Sequence, residues 1–498
     1  MLGIDTPEKE QYQQYERTQE WEGIESLEYL ATWGANASDF AQTELGGETI
    51  DISFDDAEPG IFDQYDRLLA YIQYDASGDG TRNTFYNYEA VAQGYARLYS
   101  SSFTNHESFY DAEAAAQSQG RNVWTDSDPE NSTEIRNRAV DDVFFPTTAS
   151  IRTSSGAIDR SRVPVEAEAE ATQSGGSVSY ASDIPLVGID EDASVAMLGS
   201  PLIDESYEQA EDYAVDTSGF ENFVFVSNLI DYLSDIDGQV LIDGGHGQFG
   251  ADYALSSEDA AYYQRFLEGV DLAFEQVNTL SSENLDRGRA LIVTSPADAF
   301  TSTELDALTT FRDNGGTVVC LGSSEATATA RGNLNDVANA LGSDLRLNDD
   351  EITGTTNNVN SDETVPTTTV FNTSYPLFDP YDGSLSSGQG SIAVKRVHAD
   401  AEGDEYDNLN DEYVVFENPG DGDIELTGYA VEDEAAHRYT FPDGFVLGVG
   451  DTVTLHTGSG TDTDTDLYWG SGSPIWNNSG DTVYVFDDTG ATVETYSY

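Results

Sequence analysis

Apolar residues fall at helical spacing in some stretches of this chain, alternate in others, and do each in turn through its middle. Leu27, Leu30, Ala31, Ala37, Phe40 and Ala41 share one helical face and Gly46-Gly47 ends the run, which predicts a helix over residues 26–45. Ile50, Ile52 and Phe54 alternate as a strand, residues 63–74 hold a second strand, and the Gly-rich residues 75–81 read as a hairpin. Residues 88–100 read as a short helix followed by an extended piece, and a helix over 107–119 leads to Asn122-Val123-Trp124. Residues 12–22 are a polar, Tyr-rich insertion, and the run 125–138, with Pro129, reads as a linker.

Beyond the linker the pattern changes. Strands are expected at 143–151, 163–171, 184–189 and 195–199, and Phe223, Val226, Leu229, Ile230 and Leu233 mark a helix. Strand and helix then alternate: 240–243, a helix over 257–274, 290–294, a helix opened by the capping box Thr301 to Glu304, 317–322, and a helix over 333–341. Such alternation predicts a doubly wound α/β sheet with right-handed crossovers. The stretch 353–366 reads as a loop and 367–376 as an edge strand. From Ser391 onward seven short alternating runs, separated by Gly, Asp and Asn turns, predict an immunoglobulin-like β-sandwich. The fold class is therefore multidomain α+β, divided at 1–126, a linker at 127–142, an α/β domain with a β-rich entry segment at 143–388, and a sandwich at 390–498.

Composition adds a second constraint. The chain has 498 residues, enough for several cores, with 93 acidic and 20 basic residues and a formal charge of −73. Only Lys9 and Lys395 are lysines. With 38% hydrophobic and 11% aromatic residues the chain is too apolar for disorder, so the charge covers folded surfaces. Acid excess with loss of Lys resembles adaptation to molar salt in halophilic archaea. At about 1 M salt the Debye length shrinks to about 3 Å, which screens the self-repulsion. Counterion-release affinity for nucleic acid is correspondingly scarce with so few cations. Cys320 is the only cysteine and excludes an intrachain disulfide. No signal peptide is read at the start and no apolar run is long enough for a transmembrane segment. Sequons at Asn36, Asn131, Asn372 and Asn477 accord with export, so an extracellular or cell-surface protein is expected, its leader lying outside this chain.

Candidate chemistry centres on residues 2–8, Leu-Gly-Ile-Asp-Thr-Pro-Glu, where an apolar strand enters a turn carrying Asp5, the Thr6 carbonyl and Glu8. These are hard oxygen donors suited to Ca²⁺. Residues 63–72 add Tyr65 and Arg67. Asp5 to Glu8 as an ordinary Pro turn, and Arg67 as a surface cation beside Asp63 and Asp66, are the alternative readings. The two segments, together with Ala37-Ser38-Asp39-Phe40, Gly94-Tyr95-Ala96-Arg97, Glu113-Ala114-Ala115-Ala116 and Asn122-Val123-Trp124, resemble the thermonuclease (staphylococcal-nuclease-like) family over about a quarter of the chain. The resemblance implies an OB-type β-barrel with helices and Ca²⁺-dependent hydrolysis of DNA or RNA. It assigns Asp5 and Thr6 as metal ligands, Glu8 as general base, Arg67 as phosphate clamp and Tyr65 as a substrate contact. It also implies a further metal-binding Asp, a further Arg and two barrel strands expected ahead of Met1, as in a truncated start. Residues 75–80 begin like an EF-hand loop, but Tyr86 stands where the bidentate Glu is needed.

In the middle, Val319-Cys320-Leu321-Gly322 and the α/β alternation are similar to glutamine-amidotransferase-like, or flavodoxin-like, domains. No His-x-Glu pair follows, so Cys320 reads as a packed strand residue. His246, in Gly244-Gly245-His246-Gly247 after a strand, is a weak ligand candidate with no partner near it in sequence. Residues 411–418, 426–429, 439–442 and 476–481 resemble the lamin-tail domain, which implies anchoring to a surface or polymer. The expectation is an exported, salt-adapted nuclease; the alternative is a non-catalytic cell-surface binding protein with a decayed barrel. The charge balance leads us to expect a thermal midpoint that rises steadily from about 0.1 M to about 2 M KCl in calorimetry, with saturation at the low end contradicting salt adaptation.

Overall fold

The computed structural model describes residues 1–498 apart from 59, 63–66, 100, 134–135, 205–218, 252, 384–391, 402, 404–405, 407, 419–423, 436, 443, 449–450, 464, 479 and 487–491. The chain divides into two units, Met1–Leu385 and Ser386–Tyr498.

In the first unit, Ser26 accepts the Tyr29 N–H and starts helix α1 (Leu27–Leu45), as the periodicity predicts. Strand β1 (Ile4–Asp5) precedes it. The strands β2 (Asp51–Ser53), β3 (Tyr71–Tyr74) and β4 (Thr84–Phe85) form an antiparallel sheet, followed by helix α2 (Tyr86–Ala92). Strand β5 (Arg97–Leu98) pairs with β1, and helix α3 (His106–Ser118) closes the region. Of the OB-type barrel expected without its first two strands, the described residues form a two-stranded and a three-stranded ladder. Buried Asn87 joins the two, donating to Leu2 O (2.8 Å) and Ala70 O (3.1 Å) and accepting from Ile72 N (2.9 Å). This amide adds to a backbone bond between the same segments, Leu2 N to Ala70 O at 3.1 Å, and β2 stays at an edge with Ile52 and Phe54 exposed. The core beneath holds Leu2, Ile4, Tyr71, Tyr86, Val91, Phe103 and Phe109.

The rest of this unit is built on a seven-stranded sheet. Its strands are β6 (Val165–Glu166), β7 (Pro185–Asp190), β8 (Val195–Leu198), β9 (Gln239–Asp243), β10 (Phe274–Val277), β11 (Gly288–Thr294) and β12 (Thr317–Leu321). Their order is β10-β9-β11-β12-β8-β7-β6, parallel from β10 to β8 and antiparallel beyond. Helices α4 (Asn222–Leu233) and α5 (Ser257–Glu268) bury Phe223, Leu229, Tyr263 and Phe266 on one face. On the other, α7 (Ser302–Asp313) and α8 (Ala328–Ala340), with the short α6 (Ser282–Leu285) before them, bury Leu285, Leu308, Phe311, Leu334 and Val337. The Thr301–Glu304 capping box is present.

Strand β10 corrects the expectation of one helix over 257–274. Helix α5 stops at Glu268, Asp271 takes a φ of 60°, and the polar run Phe274–Val277 pairs on one side only. The expected linker is likewise no tether. Asp128 N donates to Gly23 O (3.0 Å), Thr133 N to Glu25 Oε1 (2.8 Å) and Ser132 Oγ to Glu268 Oε2 (3.0 Å). Buried Arg265 donates to Glu268 (2.8 Å) and Glu25 (2.8 Å) across the same junction. The end of β10 joins in, with Gln276 and Asn278 donating to Ser101 O (3.0 and 2.8 Å).

In the second unit, β13 (Ala393–His398), β14 (Tyr413–Glu417), β17 (Thr452–His456) and β18 (Asp466–Tyr468) make one sheet. The strands β15 (Ala430–Glu432), β16 (Arg438–Thr440), β19 (Thr482–Phe486) and β20 (Thr492–Ser497) make another. One core, including Val414, Phe416, Val431, Phe441, Leu455, Trp476 and Val483, is drawn from both. The β17–β18 pair is parallel, and β18 lies outside the seven runs that the alternation marks. Among the described residues no helix is long and apolar enough to cross a membrane.

Truncating the buried pair at the junction leaves Glu268 charged and short of a partner. We expect Arg265→Gln to cost about 3–5 kcal/mol in denaturant unfolding of the full chain.

Candidate active site

The turn after β1 is held from three sides. Helix α1 approaches it so closely at Gly34 that a Cβ there would lie 2.3 Å from Pro7 O. Glu8 N donates to the Glu16 carboxylate, whose other oxygen accepts from Trp21 Nε1 at 2.9 Å. The β1–β5 register sets Arg97 opposite Asp5. Arg97 is 7% exposed; its Nε lies 3.4 Å from Asp5 Oδ2 and its Nη2 donates to Glu20 Oε2 at 2.5 Å. Trp21 and Tyr99 flank its guanidinium, with ring centroids 6.0 and 5.6 Å away.

Electrostatics follows from this packing. Burial raises the Glu8 pKa, neighbouring Asp5 raises it further, and Arg67 and Lys9 pull it back. Burial pushes Glu16 up to about 7 and also raises Glu20, against the pull of Arg97. For Arg97, burial opposes the charge, but Glu20 and Asp5 outweigh it and the pKa is raised. The structure therefore brings Asp5, Glu8 and Arg67 into one electrostatic neighbourhood. Arg67 is exposed and lies ahead of β3 instead of at the start of the strand, which begins at Tyr71. Tyr65 lies outside the described residues. Arg97 carries no role in the sequence reading; its one signal is the strand register that faces it to Asp5.

Asp5 and the Thr6 carbonyl are oxygen donors of the kind Ca²⁺ takes, and the negative field of Asp5 reaches Glu8, Glu16 and Glu20. Among the described residues no three His, Cys, Asp or Glu side chains converge into a metal cage. The chain would supply part of a shell of about six to eight oxygens, with water and substrate supplying the rest.

His246 has the partners that the sequence does not reveal. Its Nδ1 lies 2.9 Å from both Asp243 oxygens, its Nε2 3.5 Å from Glu304 Oε2, and its ring stacks on Phe300 at 3.8 Å. The two carboxylates overcome burial and raise its pKa. It sits at the carboxyl ends of β9 and β11, where the chain leaves for opposite faces of the sheet. Cys320 is wholly buried in β12 and its thiol is pushed up to about 12, which fits a packed strand residue.

Residues 1–126 match the family model described as Staphylococcal nuclease homologue, and residues 386–498 match the Lamin Tail Domain. An uncharacterized protein of Methanocaldococcus jannaschii is 34% identical over 131 residues, spanning 25% of this chain and 59% of its own length. The IMPa metallopeptidase from Pseudomonas aeruginosa shares 10% identity over 42% of this chain and 20% of its own, with a TM-score of 0.24. Its complex with an O-glycopeptide shares 11% over the same fractions, at a TM-score of 0.24.

Because the folded-state pKa of Glu16 stands near 7 against an ordinary 4.5, the folded chain holds a proton there that the unfolded chain releases. That contribution to stability is present below the lower value and is lost as pH rises through the window. We expect the wild type to lose stability relative to Glu16→Gln between about pH 5 and about pH 7.5 in urea unfolding, with parallel curves contradicting the burial of Glu16.

Proposed function

We propose that residues 1–126 form a centre for hydrolysis of phosphodiester bonds in DNA or RNA, working at high salt in an exported protein. The family match supports the reaction class, and the grouping of Asp5, Glu8 and Arg67 supports the residues. Glu8 is the base: burial and Asp5 raise its pKa, which makes its carboxylate a better proton acceptor for an attacking water. Arg67, exposed beside it, binds the phosphoryl oxygens and stabilises the charge that builds on them. Asp5 and the Thr6 carbonyl would hold Ca²⁺, which when bound supplies Lewis-acid polarisation of the phosphate. With an acidic surface, substrate approach depends on molar salt to screen repulsion and on these local groups for contact.

We assign the lamin-tail region an anchoring role on a surface or polymer, and the glutamine-amidotransferase-like middle no thiol chemistry, since Cys320 is buried. The scarcity of cations for a polyanionic substrate favours one other reading, a binding protein whose nuclease centre has decayed. Cleavage of single-stranded oligonucleotides with Ca²⁺ in about 2 M KCl separates the two. We expect Glu8→Gln and Arg67→Ala each to lower the rate by about 10²–10³. No cleavage by any of them supports the binding protein, and cleavage at the wild-type rate in both variants removes Glu8 and Arg67 from the centre.

A further inference from the structure

The middle of the chain reaches the candidate centre through one helix. Helix α5 packs on the turn Thr18–Glu20, and Glu20 is one of the two carboxylates on Arg97. At its N-terminal end Ser257 Oγ donates to Tyr99 Oη at 2.5 Å, and Tyr99 Oη donates to Glu258 Oε1 at 3.2 Å. Tyr99 in turn lies along the Arg97 guanidinium, two residues further along the chain from it. Arg97 ends the chain of contacts at Asp5. Farther along the same junction, Arg265 and Glu268 clamp Gly23 and Glu25, so α5 is fixed at both ends against the segment that carries Glu16, Glu20 and Trp21.

We infer that the middle α/β region is a positioning platform for the candidate nuclease centre: α5 fixes Tyr99 and Glu20, these fix Arg97, and Arg97 sets Asp5. The inference rests on the nuclease reading for what Asp5 binds, but the contacts themselves do not. Arg97 is nearly wholly buried, so a change in its surroundings is passed on to its partners and not absorbed by solvent. Arg97 Nε faces one Asp5 oxygen at 3.4 Å as an ion pair without a hydrogen bond, so its charge draws that oxygen towards it and leaves the other for a cation, and a cation site with few protein ligands depends strongly on that arrangement. Arg97 is thus a positioning residue that acts through Asp5, and Tyr99 and Ser257 act through Arg97.

Terbium(III) luminescence sensitised by Trp21 tests this on the full chain in about 2 M KCl, with Tb³⁺ standing in for Ca²⁺ and Asp5→Asn as reference. We expect a wild-type signal that Asp5→Asn removes, and Tb³⁺ affinities about threefold to tenfold weaker in Tyr99→Phe and Ser257→Ala. Arg97→Gln should lose more than Arg97→Lys, which restores the charge. Arg287→Gln, which alters contacts to Glu107 and Tyr110 elsewhere on the junction, should bind as wild type. An Asp5-dependent signal with unchanged affinity in Tyr99→Phe and Ser257→Ala overturns the platform and leaves the nuclease reading standing. Equal weakening in Arg287→Gln means general loosening and also overturns it. No Asp5-dependent signal in the wild type removes the metal site of the nuclease reading, and the platform with it.

Discussion

A single buried guanidinium, that of Arg97, lies between Asp5 and Glu20, and the pose of the candidate centre depends on it. Its burial would be costly unpaired, so the strand register that brings Asp5 opposite and the turn that brings Glu20 beside it are conditions for the local fold. The neighbouring turn is held equally tightly, by Gly34 from α1 and by the Glu16 carboxylate on Glu8 N. Asp5, Thr6 and Glu8 are therefore presented on a short segment whose backbone has few alternatives.

The same logic governs the rest of Met1–Leu385. In a chain with 20 cations against 93 acids, several of the arginines answer buried or nearly buried carboxylates: Arg138 on Glu221 at 2.6 Å, Arg289 on Asp231 at 2.9 Å, Arg265 on Glu268, and Arg287 on Glu275. Cations engaged this way stabilise the interior and contribute little to attracting a polyanion. In the proposed function, phosphate recognition rests on Arg67 and on a cation at Asp5, under salt that screens the remaining acidic surface.

Local patterns were legible in the sequence because they have local causes. The period of Leu27 to Ala41, the Thr301–Glu304 box and the succession of buried strands with amphipathic helices each appear where expected. What was hidden depends on residues far apart. Polar Glu275 and Gln276 disguise β10, because their partners Arg287 and Ser101 come from elsewhere. The two ladders are tied together partly by the side-chain amide of Asn87, which no periodicity marks. The partners of His246 are hidden because Glu304 comes from helix α7, far along the chain, and because nothing local marks the turn that brings Asp243 onto its ring. Arg97 stood in a motif without a role until the register with Asp5 gave it one. The polar stretch after Trp124 looked like a linker because its anchors, Gly23, Glu25 and Glu268, are set by tertiary packing.

Dependence of cleavage on a cation held by Asp5 tests the account most directly. Purified full-length chain in about 2 M KCl would be given a single-stranded DNA or RNA oligonucleotide, with Ca²⁺ added or chelated, beside Asp5→Asn. Cleavage should require Ca²⁺ and fall by about 10² or more in Asp5→Asn. Cleavage indifferent to both Ca²⁺ and Asp5, or no cleavage of either polymer, would contradict it.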